Sequence, residues 1–283
     1  MLSKRKFITL SALMAFSGIV PLHAFAKSKN IFKSLINKSG FKQNTSFMAI
    51  DLRSNKLIGR HNEKLRLPIA SVTKMVTASY YLNNNYKLGH FKTELYTDGV
   101  IKDDTLHGDL YLKGYGDPTL KTDDLSLFID AVKKLGITKV EGKLFYDNSY
   151  LPDVNYINRN QLPQYAYNPG MGAINLNENR ILFKWKRLEK GKYKISLIAP
   201  GLKNSSHVAN ISMDLENRKG PVYNYKFDEN KFEESWSVNQ RILSRKGSRW
   251  LPVRKSSYYA TEVLRQLFID SGIEIGDLKR GIV

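Results

Sequence analysis

The pattern of apolar positions in the first hundred residues predicts a β-hairpin followed by a helix. Residues 47–59 form two strand-like apolar runs around a polar turn at 53–56. Pro68 suits the first turn of a helix, and apolar side chains then crowd positions 69–82. So much apolar surface predicts a buried helix, which we expect the following run of three asparagines and then Gly89 to end.

From about residue 92 to about residue 249 the pattern changes to short β-like runs separated by turns, which predicts a β-rich unit. The runs lie at 110–112, 143–146, 181–185 and 193–198, with turn signals at 116–118 and 168–170. One amphipathic helix, 125–135, ends at Gly136. A last helix is predicted at 257–271, ending at Gly272. Its apolar face consists of Ala260, Val263, Leu264, Leu267 and Phe268.

Residues 1–26 are typical of a secretory signal peptide. Lys4, Arg5 and Lys6 precede an uncharged, mostly apolar run at 7–20, and Ala24-Phe25-Ala26 matches a small-x-small cleavage site. The apolar run is short for a membrane-spanning helix, so we favour a cleaved signal over an N-terminal anchor. We therefore expect an exported protein in the periplasm or another extracytoplasmic compartment.

Composition limits the chemistry that the chain can perform. The absence of cysteine excludes thiolate metal sites and a cysteine nucleophile. No two of the five histidines stand at ligand spacing, so we expect neither metal nor cofactor. The net charge of +19 favours peripheral association with anionic envelope surfaces, such as wall polymer or lipid head groups. Export argues against nucleic acid as the partner, and a genome rich in lysine and asparagine codons explains the charge equally well.

One motif carries candidate chemistry, the S-x-x-K tetrapeptide that begins at Ser71. The chain contains this motif three times, at Ser3, Ser39 and Ser71, and only Ser71 opens the predicted buried helix. Lys74 lies on the same helical face, within reach of the Ser71 hydroxyl. Burial would disfavour the charged form of Lys74 and make it a general base. The free N–H groups of the first helical turn would stabilise an oxyanion. The motif alone equally fits a hydroxyl bonded to the backbone and a lysine extended into water.

Several segments, in a consistent order, resemble the D-alanyl-D-alanine carboxypeptidase/endopeptidases, the class C penicillin-binding proteins. The resemblance covers about residues 45–283. It implies an α+β fold: a partial penicillin-binding, β-lactamase-like transpeptidase domain, with a β-rich domain inserted after the catalytic helix. The segments are 48–52, 67–78 (LPIASVTKMVTA), 106–120 (LHGDLYLKGYGDPTL), 140–150 (VEGKLFYDNSY), 167–169, 175–179 and 267–281.

The resemblance assigns roles to three residues. Ser71 would be the acylated nucleophile and Lys74 its base. Asp147 falls where the family has an acidic residue that meets the diamino acid of the stem peptide, although its Asp-x-Ser setting fits a turn-forming aspartate somewhat better. The implied domains are a signal peptide at 1–26, a first transpeptidase part at 27–91, the inserted domain at 92–249, and a return to the transpeptidase domain at 250–283.

The resemblance therefore implies an exported serine-type D-Ala-D-Ala carboxypeptidase/endopeptidase that acts on peptidoglycan stem peptides and is inhibited by β-lactams. A plain β-lactamase is disfavoured by the large insertion. The family has S-x-N and K-S/T-G motifs after the inserted domain. Ser237-Val238-Asn239 and Lys38-Ser39-Gly40 fit these motifs only out of place. We therefore expect the N-terminal part of such an enzyme, or alternatively a truncated, catalytically weak or inactive wall-binding remnant.

Overall fold

The computed structural model describes the chain from residue 24 to residue 283, with side-chain surroundings for residues 32–84 and 89–283. The chain divides into two compact units, residues 1–88 and 89–283. Residues 1–23 of the expected signal peptide lie outside the described residues. Ala24, in the predicted cleavage site, is the first residue of a helix.

The first unit confirms the predicted hairpin. Helix α1 (Ala24–Ser39) precedes strands β1 (Phe47–Asp51) and β2 (Lys56–His61), which pair antiparallel. Asp51 Oδ1 accepts the backbone N–H groups of Arg53 and Ser54 at 2.9 and 2.8 Å, because the turn leaves these donors without strand partners. The hairpin packs on α1, with ring centroids of Phe32 and Phe47 5.3 Å apart.

Helix α2 (Thr73–Leu88) follows a 3₁₀ turn at Ala70–Val72. It continues through the asparagines and ends at Leu88, just before Gly89, whose φ of +68° suits a helix terminus. The expected stop at Gly89 is therefore confirmed, and the expected stop at the asparagines is wrong. The prediction that this helix is buried is also wrong: Met75 is 69% exposed and Leu82 is 69% exposed. Since the hairpin packs on α1, no described element of the first unit buries α2.

The second unit begins with a four-stranded sheet in the order β16 (Leu278–Arg280), β8 (Leu144–Asp147), β6 (Leu110–Gly114), β3 (Thr93–Thr97), and a small sheet in the order β4 (Val100–Lys102), β5 (Thr105–His107), β7 (Lys139–Val140). Strands β16, β8 and β6 are parallel, and β3 is antiparallel to β6. Helix α3 ends before Gly136, as predicted. The elements are β3 (Thr93–Thr97), β4 (Val100–Lys102), β5 (Thr105–His107), β6 (Leu110–Gly114), α3 (Thr122–Lys134), β7 (Lys139–Val140) and β8 (Leu144–Asp147).

Two further sheets, in the orders β11-β10-β9-β15 and β12-β14-β13, complete the second unit. The predicted strands at 181–185 and 193–198 are confirmed as parts of β9 and β10. The elements are β9 (Arg180–Arg187), β10 (Tyr193–Pro200), β11 (Ser205–His207), β12 (Ile211–Glu216), β13 (Tyr223–Asp228), β14 (Glu233–Asn239), β15 (Lys246–Pro252), α4 (Ser256–Asp270) and β16 (Leu278–Arg280).

Helix α4 lies at the centre of the second unit and confirms the predicted helix at 257–271. Ten of its 15 residues are buried, among them the whole predicted apolar face. It packs against α3 and β8, and β16 joins the sheet beside β8. Residues 250–283 therefore lie inside the second unit, and no unit boundary falls at 249/250. The expected boundary at 91/92 falls three residues from the one at 88/89; the assignment of these regions to domains stays a prediction.

One buried side chain holds the long irregular segment between β8 and β9. Arg254 donates to the main-chain oxygens of Asn155, Pro163 and Asn168. Its guanidinium also lies over the ring of Tyr156, 4.2 Å from the centroid. Because the five donors of a guanidinium have fixed directions, this side chain fixes the path of the segment.

The described residues show two further general features. No helix among them has both the length and the apolar character needed to cross a bilayer. No group of three or more histidine and acidic side chains in the described part of the chain is placed to hold a metal ion.

Candidate active site

The first unit brings Ser71 and Lys74 together. Ser71 lies in the 3₁₀ turn that precedes α2, and Lys74 lies in the first turn of α2. Lys74 Nζ donates a hydrogen bond to Ser71 Oγ at 3.1 Å. A hydroxyl and an amine in direct contact can exchange a proton, so this pair has the geometry that nucleophilic catalysis by serine requires.

The backbone before the serine is held in an uncommon conformation. Ala70 has a φ of +44°, a left-handed value that costs a residue with a Cβ about 1–3 kcal/mol. The turn is fixed by hydrogen bonds from the Val72 N–H to the Ile69 oxygen, at 2.9 Å, and from Thr73 Oγ1 to the Ala70 oxygen, at 2.8 Å. The position of Ser71 is therefore set by local bonds.

The same bonds change the expectation for the oxyanion. The Val72 N–H is bonded to Ile69, and the Thr73 N–H points to the carbonyl oxygens of Ala70 and Ser71. These two first-turn donors are already occupied, so the expected use of free N–H groups does not hold for them. An oxyanion formed at Ser71 needs other donors.

Both side chains of the pair are exposed. The sequence predicted a buried lysine, because burial would weaken its charged form. No described residue of the first unit buries Lys74, because the hairpin packs on α1 and leaves α2 exposed. The geometry of the pair is therefore in place, while the apolar surroundings that a lysine base requires are not.

The other motif matches have structural partners. Ser39 is the last residue of α1, its hydroxyl donates to the Ile36 oxygen at 2.8 Å, and Gly40 follows with a φ of +76°. Ser237 lies in β14 and accepts a hydrogen bond from Arg218 at 2.7 Å. Asn239 ends the same strand and donates to the Arg218 oxygen at 2.8 Å. Ser3 lies outside the described residues.

Asp147 belongs to the second unit, where it ends β8 and is fully buried. Lys113 Nζ lies 3.1 Å from its carboxylate, and the backbone N–H groups of Ser149 and Val283 donate to it at 2.9 and 3.1 Å. Burial alone would raise the pKa of Asp147; the bonds from Ser149, Val283 and Lys113 outweigh it and lower the pKa below its ordinary value. The hydrogen bond from the Ser149 N–H is the one that a turn-forming aspartate accepts. A turn does not require the ion pair with Lys113. A substrate-binding role for Asp147 stays a prediction.

Sequence reasoning missed the charged row beside Asp147. The strand register places Glu94, Lys113 and Asp147 opposite one another on β3, β6 and β8. The Tyr96 hydroxyl donates to Glu94 at 2.6 Å, and this bond is the main cause that lowers the pKa of Glu94 to about 2. A lysine in the otherwise apolar strand β6 was the available signal, since an inward charge needs a partner.

Solved structures of similar fold identify the fold. The crystal structure of penicillin binding protein 4 (dacB) from Haemophilus influenzae matches with a TM-score of 0.59 and 20% identity, over 82% of this chain and 52% of that chain. The structure of the same protein complexed with a novel β-lactam matches with a TM-score of 0.54 and 20% identity, over 83% and 52%. The mixed, strand-rich fold is therefore that of a penicillin-binding protein, as the resemblance implied.

The family follows from the sequence comparison. The profile of the D-Ala-D-Ala carboxypeptidase 3 (S13) family matches residues 28–280, and the chain belongs to this family. The D-alanyl-D-alanine carboxypeptidase DacB of Haemophilus influenzae is 29% identical over 142 residues. That match covers 49% of this chain and 28% of the relative, so the chain corresponds to only part of the relative's length.

Proposed function

We propose that this chain carries the nucleophile of a serine-type D-Ala-D-Ala carboxypeptidase/endopeptidase that acts on peptidoglycan stem peptides. The observation that carries the proposal is the 3.1 Å hydrogen bond between Lys74 Nζ and Ser71 Oγ. Membership of the D-Ala-D-Ala carboxypeptidase 3 family supports it, because the reaction of that family is acyl transfer from D-alanine. No other described S-x-x-K serine contacts its lysine.

The proposed reaction proceeds through an acyl-enzyme. Ser71 Oγ attacks the carbonyl carbon of the penultimate D-Ala while its proton passes to neutral Lys74. The amide bond then breaks, and the terminal D-Ala leaves with a proton returned by the lysine. Water hydrolyses the ester and restores the serine. If the leaving group is the side-chain amine of a neighbouring stem peptide, the same steps cut a cross-link.

The proposed base needs an environment that the described first unit does not supply. A lysine takes a proton only as the neutral amine, and apolar surroundings favour that form. Turnover therefore requires that α2 and Lys74 be covered by an apolar surface. This requirement also supports the second candidate function, a non-catalytic wall-binding protein that keeps the fold.

Export is part of the proposal. The charged, apolar and Ala-x-Ala pattern of residues 1–26 supports cleavage of a signal peptide and a periplasmic or other extracytoplasmic location. The mass of the protein recovered from the envelope fraction tests this. A chain that still begins at Met1 there would contradict it.

Penicillin labelling tests the nucleophile, because a β-lactam acylates the same serine as the substrate. Fluorescent penicillin followed by peptide mapping should place the adduct on Ser71. Ser71→Ala should abolish the label, and Ser39→Ala, at the other described S-x-x-K serine, should leave it unchanged. Lys74→Ala should slow acylation by about 10²-fold or more.

Two outcomes would contradict the proposal. An adduct on another serine, or labelling that survives Ser71→Ala, would reject Ser71 as the nucleophile. A correctly folded chain that takes no label but still binds purified peptidoglycan would favour the non-catalytic alternative.

A further inference from the structure

The outer face of one sheet in the second unit carries a grid of lysines. Lys186 in the middle strand β9 lies directly opposite Lys194 on β10 and Lys246 on β15. In the next row on this face, Lys184 lies between Ser196 and Ser248. The intervening side chains, such as Phe183, point into the core. We call these four lysines and two serines the lysine face.

The lysines of this face are not neutralised within the chain. Lys184, Lys186, Lys194 and Lys246 are all exposed. None of them forms an ion pair with another residue in the described part of the chain. Like charges directly opposite one another across strands are destabilising, so this arrangement costs the fold stability. A loss of stability that no contact within the fold offsets is expected where a surface has a function.

The surroundings of the lysine face add to its charge. The end of β9, the β9–β10 turn and the residue before β15 contribute four more bases and one acid. These residues are Arg187, Glu189, Lys190, Lys192 and Arg245. Because exposed charges within about 10 Å act together at moderate salt, this end of the sheet produces a strongly positive potential.

A depression of about 580 Å³ adjoins the lysine face. It is lined by the four lysines and two serines together with Trp185, Ile195 and Gly247. Strands lie about 4.8 Å apart and same-face residues repeat about every 6.8 Å along a strand, so the donors form a regular grid. Such a grid fits an extended chain that carries acidic groups at intervals.

We propose that the lysine face binds an acidic polymer and holds the protein on peptidoglycan through the carboxylates of the stem peptides. The chemistry of the face, ammonium and hydroxyl donors, requires only repeated anionic groups. The choice of peptidoglycan as the polymer rests on the proposed function. This site is separate in sequence and in unit from Ser71, so it concerns retention on the polymer and not the acylation step.

Pelleting with purified sacculi tests the proposal. The triple variant Lys186→Ser, Lys194→Ser, Lys246→Ser removes the three-lysine row. We expect its apparent dissociation constant for sacculi to rise at least about tenfold at about 0.1 M salt, with a weaker dependence on salt. A control triple variant, Lys102→Ser, Lys219→Ser, Lys231→Ser, removes the same charge from exposed positions elsewhere in the second unit and should stay within about twofold of the wild type. Soluble poly-L-glutamate should release the wild-type protein.

Three outcomes would overturn the inference. Unchanged binding by the row variant would do so, as would an equal loss by the control variant. Binding to vesicles of phosphatidylglycerol and phosphatidylcholine, without binding to sacculi, would identify a bilayer as the partner instead.

The fold of the row variant has its own expectation. Removing opposed like charges should leave the melting temperature equal to that of the wild type or higher. If the triple variant melts earlier, the single variant Lys186→Ser takes its place, and its binding should fall by about threefold. Penicillin labelling of Ser71 should be the same in all these variants. A protein that takes no label but binds sacculi through this row would reject the proposed enzyme and keep this inference.

Discussion

Helices α2 and α4 are of similar length and both carry many apolar side chains, yet one is exposed and the other is the centre of its unit. Leu264 of α4 is fully buried, whereas Leu82 of α2 is 69% exposed. The difference lies in the partners: α4 is packed against a helix and a strand, while the hairpin beside α2 packs on α1. An apolar helix thus shows a need for a partner surface and does not show which surface meets that need.

The polar pairs of the two units differ in the same way. Lys74 contacts Ser71 at 3.1 Å in an exposed setting, and Lys113 contacts Asp147 at 3.1 Å around a fully buried carboxylate. The two contacts have equal distances but unequal interaction energies, because water screens the first pair and cannot reach the carboxylate of the second. The exposed pair is open to solvent, and the buried pair joins strands β6 and β8.

The largest expected effect comes from truncating a leucine in each helix. Leu264→Ala should lower the free energy of unfolding by about 3–5 kcal/mol, because it leaves a cavity in the core. Leu82→Ala should change it by no more than about 0.5 kcal/mol. Denaturant titration measures both, with tryptophan fluorescence reporting the second unit, which holds all three tryptophans, and circular dichroism reporting the helices. A comparable loss in Leu82→Ala would mean that α2 is packed in solution.

Replacing one lysine of each polar pair has the next largest effect. Lys113→Met leaves the buried Asp147 carboxylate without its cation and should cost about 2–3 kcal/mol of unfolding free energy. Lys74→Met should cost no more than about 0.5 kcal/mol, because its charge is exposed, while it removes the proposed base. Lys113→Met should therefore change the denaturation curve, and Lys74→Met should change the penicillin labelling. Equal stability losses would erase the contrast between the two units.

Acid should weaken the buried pair. The folded pKa of Asp147 lies below the ordinary value of 3.8, so its stabilising contribution is fully present above that value. As pH falls below 3.8, the unfolded chain binds the proton first, and the contribution is lost as pH falls through the folded pKa. Urea titrations of the second unit between about pH 5 and about pH 2.5 should show a flatter decline in Asp147→Asn than in the wild type. Parallel curves would argue against the pairing.

The smallest expected effect concerns a single, partly exposed acid. Tyr96→Phe removes the hydrogen bond that contributes most to the low pKa of Glu94, so that pKa should rise from about 2 toward the ordinary 4.5. Titration followed by the carbon resonance of the carboxyl group measures it. Tyr111→Phe is the matched control, because the Tyr111 hydroxyl donates to Asp98 and not to Glu94. A shift of Glu94 in the control would mean that the two hydroxyls act through one network.

Features that depend on neighbours in sequence were predictable. The hairpin, the helix that ends at Gly136 and the contact between Ser71 and Lys74 all involve residues a few positions apart, whose spacing determines their geometry. The apolar face of α4 was predictable for the same reason. Exposed glycine and turn residues at the ends of these elements supplied the boundaries.

Features that depend on distant residues were not predictable. The exposure of α2 depends on which element the hairpin packs against, and a hydrophobic pattern does not contain that choice. The pairing of Lys113 with Asp147 requires the register between two strands 34 positions apart, which only the folded sheet defines. The lysine face likewise becomes visible only when β9, β10 and β15 are aligned.

The contacts of Arg254 bear on how freely this protein can vary. Its guanidinium donates hydrogen bonds to the main-chain oxygens of Asn155, Pro163 and Asn168, and every amino acid has such an oxygen. The segment between β8 and β9 can therefore change most of its side chains over evolutionary time and keep its course, whereas Arg254 itself is irreplaceable, since lysine lacks the planar fork. The same bonds thus make that segment tolerant of substitution and make one arginine outside it intolerant of it.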